Sequence, residues 1–322
     1  MEGAEVFVSS TRIWTLPILL AACGSVTGKA TDAGSGSADA AEGQPDAAGG
    51  SPDAAFDAPG SQPRCDPTKP FGTPMLVPNV NSSLDELSFS LTQDEKTAFV
   101  RRSTGTSTPT QTILSTHRDS IDANFDTPNA NLTAAINGSG TVSDPSSGPD
   151  GLALYFSRQN GNQFGLYVAT RPDANASFDA GTLLVIDAMN ATDRFSPATS
   201  ADGQTLYYGD ISFSQVFSAS RGGSVAAFIN PKLISSAQAP VVVSSDELTM
   251  YSALGGRDVL EATRVNKTAT FGGNGAAADI INVNTASSET PVAITRDGCV
   301  LYISSNRAGS VGYDIWEAHR PQ

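Results

Sequence analysis

Histidine and cysteine, which often serve as general bases and nucleophiles in enzymes, are few in this sequence: it has two histidines and three cysteines. The two histidines, His117 and His319, each directly precede an arginine. A Ser-His-Asp triad needs its histidine at a pocket, whereas two histidines in the same local context indicate a repeated structural position. The cysteines and histidines do not cluster with the spacing of a zinc site. We therefore expect no catalytic triad, no metal and no cofactor.

Two glutamates form the carboxylate pair that best suits cleavage of a glycosidic bond. That chemistry needs two carboxyl groups about 5–5.5 or 6.5–9.5 Å apart. Glu86 and Glu289 precede β-rich runs near the two ends of the chain, and they would approach each other if those ends adjoin. The stretch "DSIDANFD" (119–126) lacks the alternating ligand spacing of calcium loops, and Asx turns account for it better.

Composition narrows the fold class and the partners. The chain has 322 residues and a net charge of −14. Nucleic-acid binding needs cationic surface that displaces phosphate counterions, so this class is disfavoured. Only 16% of residues are charged, and Ser, Thr, Asn and Gly are abundant, which is typical of strands and turns. No apolar run reaches the ~18 residues of a membrane span.

The N-terminal 64 residues have the pattern of a targeting signal followed by a tether. Residues 13–22 are about ten apolar residues behind Arg12, which is the length of a signal-peptide core. The following "LAAC" resembles the bacterial lipobox, which implies a signal peptide over 1–22 and a lipid on Cys23. The residue after this cysteine is Gly24 and not the Asp that usually retains such lipoproteins in the inner membrane, which favours the outer membrane. A buried strand ending in cysteine is the alternative. Residues 23–64 are rich in Ala, Gly, Asp and Pro and predict a disordered tether.

The rest of the chain, 65–322, contains five repeats. An Asp turn recurs every 44 to 56 residues and is followed by a β-rich run, a polar loop and a second run that ends in Arg. The turn residues are Asp94, Asp150, Asp202, Asp246 and Asp297, and the arginines are Arg118, Arg171, Arg221, Arg264 and Arg320. Four of the arginines have Phe seven residues later, at Phe125, Phe178, Phe228 and Phe271. Because each unit has one such arginine, we expect these arginines to have a structural role and to form bonds with neighbouring turns.

Units of this length with four short antiparallel strands are typical of propeller blades. We therefore predict an all-β fold, a five-bladed β-propeller, with a two-sheet sandwich as the alternative. The unit from Thr290 to Arg320, "TPVAITRDGCVLYISSNRAGSVGYDIWEAHR", resembles the TolB-type, WD-like propeller repeat. The resemblance covers about residues 71–320 and implies a non-catalytic, scaffold-like propeller.

The ring must pair its last blade with its first to avoid an open edge. The fifth unit ends after its third strand, and the segment Phe71 to Asn79 can supply the fourth. "RCDPTKPF" (64–71) has the Arg-to-Phe spacing of the other turns and should dock on blade five. Cys65 would then lie beside Cys299 at the start of a neighbouring strand. We predict a disulfide between them, which an oxidising envelope compartment permits; two free thiols are the alternative.

Propellers usually bind ligands on the face that carries the loops before each first strand and after each second strand. The candidate binding residues on this face are Glu86, Asp144, Asp193, Arg194, Gln238, Glu289 and Arg307. The function that we expect is a monomeric, lipid-anchored scaffold or binding module of the bacterial envelope. Its partner would be an envelope protein or a cell-wall glycan, and only the lipid would touch the membrane. A glycosidase-like enzyme and a sugar-binding lectin are the alternatives.

Overall fold

The computed structural model describes residues 63–104, 110–138, 140–186, 193–210, 215–254, 257–272 and 277–322. Five sheets, antiparallel apart from one short added strand, are arranged around a central channel. Their innermost strands contact one another in a closed cycle, and the last sheet contacts the first. The prediction of an all-β, five-bladed propeller is confirmed. The predicted signal peptide, Cys23 and the tether up to residue 62 lie outside the described residues.

The strands and the single helix follow in chain order. The N-terminal segment contributes β1 (Met75–Leu76). Blade 1 holds β2 (Asp85–Leu91), β3 (Thr97–Thr104) and β4 (Thr110–His117), followed by α1 (Ala134–Asn137). Blade 2 holds β5 (Val142–Ser147), β6 (Ala153–Asn160), β7 (Gln163–Thr170) and β8 (Thr182–Leu183), with β9 (Val185–Ile186) next. Blade 3 holds β10 (Arg194–Thr199), β11 (Thr205–Asp210), β12 (Gln215–Arg221) and β13 (Ala227–Ser235). Blade 4 holds β14 (Gln238–Val243), β15 (Thr249–Leu254), β16 (Asp258–Thr263) and β17 (Ala278–Asp279). Blade 5 holds β18 (Glu289–Ile294), β19 (Val300–Ser305) and β20 (Asp314–His319).

Blades 1 and 3 depart from the predicted four strands. Blade 1 has three strands, and one isolated bridge from Ser115 to Asn129 stands where a fourth would lie. The Asn137 side chain takes over part of that pairing, because its amide bonds both the N–H and the C=O of Ile113. Blade 3 has a fifth strand, since β9 adds to β13 in parallel. Among the described residues, α1 has four residues and no helix could cross a membrane.

The repeated turns and arginines form one structural unit in each blade. The residue after each turn aspartate has a left-handed backbone with φ between 57° and 71°, which Gly tolerates best. Glu occupies this position in blades 1 and 4, at Glu95 and Glu247. Each repeat arginine donates Nε–H to the carbonyl of this residue in its own blade, at 2.6–3.1 Å. Its guanidinium carbon also lies 3.9–5.3 Å from the centroid of a phenylalanine ring.

Blade 5 borrows its fourth strand from the N-terminus, as predicted. Residues Met75 and Leu76 pair antiparallel with Glu317 and Trp316. The ring of Phe71 lies under Arg320, so the last arginine and the first phenylalanine complete the fifth repeat unit. The prediction that residues 64–71 dock on blade five is therefore confirmed for Phe71, whose arginine partner, Arg320, comes from the other end of the chain.

Three contacts join blade 5 to the segment before β1 and to blade 1. Cys65 and Cys299 form the predicted disulfide, and both are buried. Arg64 bonds Glu95 of blade 1 at 2.9 Å and also bonds Asp297 of blade 5. Arg64 thus connects the turns of the first and last blades at the point where the ring closes.

This junction predicts a loss of stability in acid. Burial raises the pKa of Asp297, but hydrogen bonds from Thr295 and the Cys299 N–H, with Arg64 nearby, outweigh it and leave the pKa below its ordinary value. A lowered folded-state pKa stabilises the protein above the unfolded value of about 3.9, and the gain is lost as pH falls below it. The free energy of unfolding, measured with urea, should decrease less between about pH 5 and about pH 3 for Asp297→Asn than for the wild type. Equal decreases in both proteins would contradict the assignment.

Candidate functional site

The central channel is lined by equivalent residues from all five blades. The residue six positions before each turn aspartate forms its upper ring: Ser88, Asp144, Ser196, Pro240 and Pro291. These five surround an upper cavity of about 130 Å³. A second ring, three positions before each aspartate, divides this cavity from a lower one of about 110 Å³: Leu91, Ser147, Thr199, Val243 and Ile294.

The two sides of the upper cavity differ in chemistry. Blades 1 to 3 contribute mainly hydroxyls and one carboxylate, whereas blades 4 and 5 contribute Pro, Val, Ala and Ile. A few placed polar groups against an apolar wall are typical of a ligand site. None of the described residues that line this cavity is aromatic.

Side chains span the lower end of the channel. Gln93 of blade 1 donates its amide N–H to the carbonyl of Ala201 in blade 3. Arg296 of blade 5 donates to the Gln93 amide oxygen at 3.4 Å, and Ser245 of blade 4 bonds the Arg296 carbonyl at 2.7 Å. These bonds cross the opening on the face of the Asp turns. Access to the upper cavity is therefore best from the opposite face, which carries the predicted binding residues.

Asp144 is the carboxylate of the upper ring. Its backbone is left-handed, with φ of 51°, at a bulge in β5. One oxygen, Oδ2, accepts the hydroxyl of Ser196 from blade 3 at 3.0 Å, and Ser143 and Ser157 lie 3.2 and 3.4 Å away. The other oxygen, Oδ1, accepts Nη1–H of Arg101 from blade 1 at 2.9 Å. Asp144 thus links three blades at the cavity mouth.

Arg101, the ion-pair partner of Asp144, is a residue that the sequence analysis did not identify. It pairs across the sheet with Ser88, so both side chains lie on the same face of blade 1. Its ion pair with Asp144 leaves 20% of the Arg101 side chain exposed. Arg101 Nε is buried and has no acceptor among the described residues. The only signal in the sequence was its position, because arginine occupies this place in one blade alone.

Glu86 and Glu289 do not line the cavity. Both are fully buried, and they occupy equivalent positions. Each carboxylate accepts the N–H and the hydroxyl of the residue four positions earlier, Ser82 and Thr285 respectively. Each is also ion-paired to an arginine: Glu86 to Arg102 at 2.6 Å and Glu289 to Arg307 at 3.2 Å. These glutamates hold the loops that lead into the first strands of blades 1 and 5.

The other four predicted residues also lie outside the cavity lining. Arg194 and Arg307 are buried, over the rings of Tyr208 and Trp316. Burial lowers the pKa of both arginines, and nearby Tyr208 and Asp210 for Arg194, or Glu289 for Arg307, offset part of this effect. Asp193 exchanges hydrogen bonds with the backbone of Phe164, and Gln238 is an exposed residue at the start of β14. Of the seven predicted binding residues, Asp144 alone lines the upper cavity.

The role of Glu289 can be tested by its effect on stability. Glu289→Gln breaks a buried ion pair and leaves Arg307 without its partner, so the free energy of unfolding should decrease by about 3 kcal/mol. Urea denaturation measures the change. The control is Glu261→Gln, whose exposed contact with Arg320 is 3.9 Å long, and we expect at most about 0.5 kcal/mol there. Wild-type stability of Glu289→Gln would contradict the structural role.

Comparisons with known proteins support the fold. No family model matches the sequence, and no curated protein matches it. A GH43_1 enzyme from Xanthomonas citri complexed with xylose is similar in structure, with a TM-score of 0.53, 11% identity, and 77% of this chain and 90% of that chain covered. The RS223-beta-xylosidase has a TM-score of 0.50 at 11% identity, covering 79% of this chain and 93% of that chain.

TolB from Acinetobacter baumannii is also among the similar structures. It has a TM-score of 0.44 and 14% identity, and 75% of this chain is covered. This chain spans 56% of the length of that TolB chain. At 11% identity, the likeness to the GH43_1 enzyme and to the xylosidase shows the propeller fold alone.

Proposed function

We propose that this protein is a lipid-anchored binding module of the bacterial envelope whose propeller holds a partner without cleaving it. The observation that carries the proposal is that the candidate carboxylates are already bonded to other residues of the protein. Glu86 and Glu289, which suited glycosidic cleavage best, are buried and bonded to loop residues and arginines. Asp144, the carboxylate on the upper ring, is bonded by Arg101 and by serines of neighbouring blades.

The sequence supports the location. The "LAAC" segment before Cys23 resembles a lipobox, and acyl chains provide stable anchoring at roughly 0.8 kcal/mol per buried CH₂. The disulfide between Cys65 and Cys299 fits an oxidising compartment outside the cytosol. We infer attachment to the outer membrane, with the propeller held away from it by residues 23–64.

In-cell crosslinking of the full chain tests the binding function. A photo-crosslinking residue at Ser88, on the upper ring, should capture an envelope protein or cell-wall material. The same residue at exposed Val265, beyond strand β16 on the opposite face, should not capture it. Metabolic labelling with an alkyne fatty acid should mark the wild type and not Cys23→Ala. Absence of capture from Ser88 would contradict the binding proposal.

Carbohydrate chemistry is the second candidate. The GH43_1 enzyme, which has a similar fold, was solved as a complex with xylose. Fold similarity does not by itself establish function. Purified full-length protein can be assayed against a panel of aryl glycosides and xylo-oligosaccharides. Turnover that is lost in Asp144→Asn but kept in Glu289→Gln, with both variants shown to be folded, would establish the enzyme instead. Sugar binding without turnover would establish the lectin.

A further inference from the structure

We infer that Asp85 and Asp314 form a calcium-binding site where blade 5 meets blade 1. Asp314 begins β20 in blade 5, and Asp85 begins β2 in blade 1, so the site lies on the face opposite the Asp turns. We expected no metal from the sequence, in which these two aspartates lie near opposite ends of the propeller segment. The inference is independent of the proposed binding function.

Both carboxylates bond the same short turn. Asp85 Oδ1 accepts the N–H of Tyr313 at 3.0 Å, and Asp314 Oδ2 accepts the N–H of Val311 at 2.9 Å. Gly312, between these two turn residues, has φ of 83°, and a side chain there would collide with Asp85 Oδ1. A turn of three residues thus holds two carboxylates, one from each blade.

One oxygen of this pair lacks a partner. Asp314 is 3% exposed, and its Oδ1 is buried with no hydrogen-bond donor among the described residues. Burial raises the pKa of Asp314 and the charge of Asp85 adds to the rise, while bonds from the Val311 N–H and the Ser310 hydroxyl offset only part of it. An unpaired buried carboxylate is costly. A cation shared with Asp85, which is partly exposed and opens the pair to solvent, would remove that cost.

The equivalent junction between blades 2 and 3 has one carboxylate. Asp193 of blade 3 accepts the N–H of Phe164 in blade 2 at 3.3 Å, which is the contact that Asp85 makes with Tyr313. The residue after Phe164 is Gly165, so no second carboxylate lies there. A single aspartate is therefore enough to bond the turn of the preceding blade.

The junction between blades 4 and 5 has the other carboxylate alone. Asp258 begins β16 in blade 4, as Asp314 begins β20 in blade 5. The residue equivalent to Asp85 at this junction is Ser288, directly before β18. Each aspartate thus has a counterpart elsewhere in the ring, but the two occur together only where blade 5 meets blade 1. The pairing is not needed to build a blade, and it is what a divalent cation requires.

The chemistry of the donors favours calcium. Both side chains offer oxygen, and among the described residues no three His, Cys, Asp or Glu side chains converge as a metal site. Calcium takes about 6–8 oxygen ligands in flexible geometry, and backbone carbonyls and water are among them. Carbonyls of the loop 306–313 and water would therefore complete the shell. Two carboxylates on a surface loop predict a dissociation constant of about 10⁻⁴–10⁻³ M, the range of extracellular calcium modules.

Isothermal titration calorimetry of the full-length protein with calcium chloride tests the site, after EDTA treatment and dialysis. The wild type should bind one ion, and Asp85→Asn and Asp314→Asn should each bind it about tenfold more weakly or not at all. The matched control is Asp258→Asn, which removes the same charge from the equivalent position of blade 4. It should bind as the wild type does, because attraction to the net charge alone would weaken equally in all three variants.

Thermal melting provides a second readout and checks that the variants are folded. Calcium at about ten times its dissociation constant should raise the melting temperature of the wild type and of Asp258→Asn by about 3–6 °C, and should not raise that of the other two variants. No calcium binding by the wild type, or equal affinity in all four proteins, would overturn the inference. Capture of a partner from Ser88 by a wild-type protein that binds no calcium would overturn the calcium site and keep the binding function.

Discussion

Replacement of both Cys65 and Cys299 by Ser should lower the free energy of unfolding by about 5 kcal/mol. The reason is the size of the closed loop, since the cysteines are 234 positions apart. In the chain-entropy model, a crosslink over that length strongly restricts the unfolded chain. Urea unfolding under non-reducing conditions measures the difference, and the double variant avoids a lone reactive thiol.

Hydrogen exchange can separate the contribution of the disulfide from that of the other contacts at this junction. Hydrogen exchange should rise first in β1 and β20, because this pair closes the ring with two register pairs. The control is Thr68→Ala, which removes the exposed hydroxyl bond to Asp66 in the same segment and keeps the disulfide. A decrease below about 1 kcal/mol in the double variant would show that the other contacts suffice.

The second large effect is expected for Arg264→Ala, at about 3–5 kcal/mol. Arg264 and Glu247 are both buried, and the arginine also bonds the Glu247 carbonyl, bonds the Tyr207 hydroxyl and covers the ring of Phe271. Its removal leaves a buried carboxylate with one partly exposed cation, Lys267. Urea denaturation of the variant measures the cost.

Blade 2 supplies the matched control for this prediction. Arg171→Ala loses the equivalent carbonyl bond and the contact with Phe178, but the turn residue there is Gly151 and no carboxylate is left behind. Its cost should be smaller than that of Arg264→Ala. Adding Glu247→Gly to Arg264→Ala should restore part of the loss, because glycine also adopts the left-handed backbone at this position without strain. A double variant no more stable than Arg264→Ala would contradict the account.

The blade count, the closing strand and the disulfide could be predicted because they follow from repeat spacing. The turn aspartates, the arginines and Phe71 recur at fixed offsets, and each offset specifies a place in a blade. Cys65 and Cys299 were then located by topology alone. Long-range pairing was predictable here because the repeats provided four internal examples of each contact.

The direction of side chains near the channel could not be predicted in the same way. Each first strand carries a bulge or register shift, such as that between Glu86 and Ser88. One extra residue reverses which side chains face a given side of the strand. Glu86 therefore lies in the protein beside Arg102, while Asp144, two positions nearer the Asp turn in its own repeat, reaches the cavity.

The borrowed strand also determines when the protein can finish folding. Strand β1 pairs with residues that are synthesised about 240 positions later. At about 5–20 residues per second, the ribosome needs roughly 10–50 s to make that interval. Met75 and Leu76 have no pairing partner during this interval. The ring therefore cannot close until Trp316 and Glu317 have been synthesised.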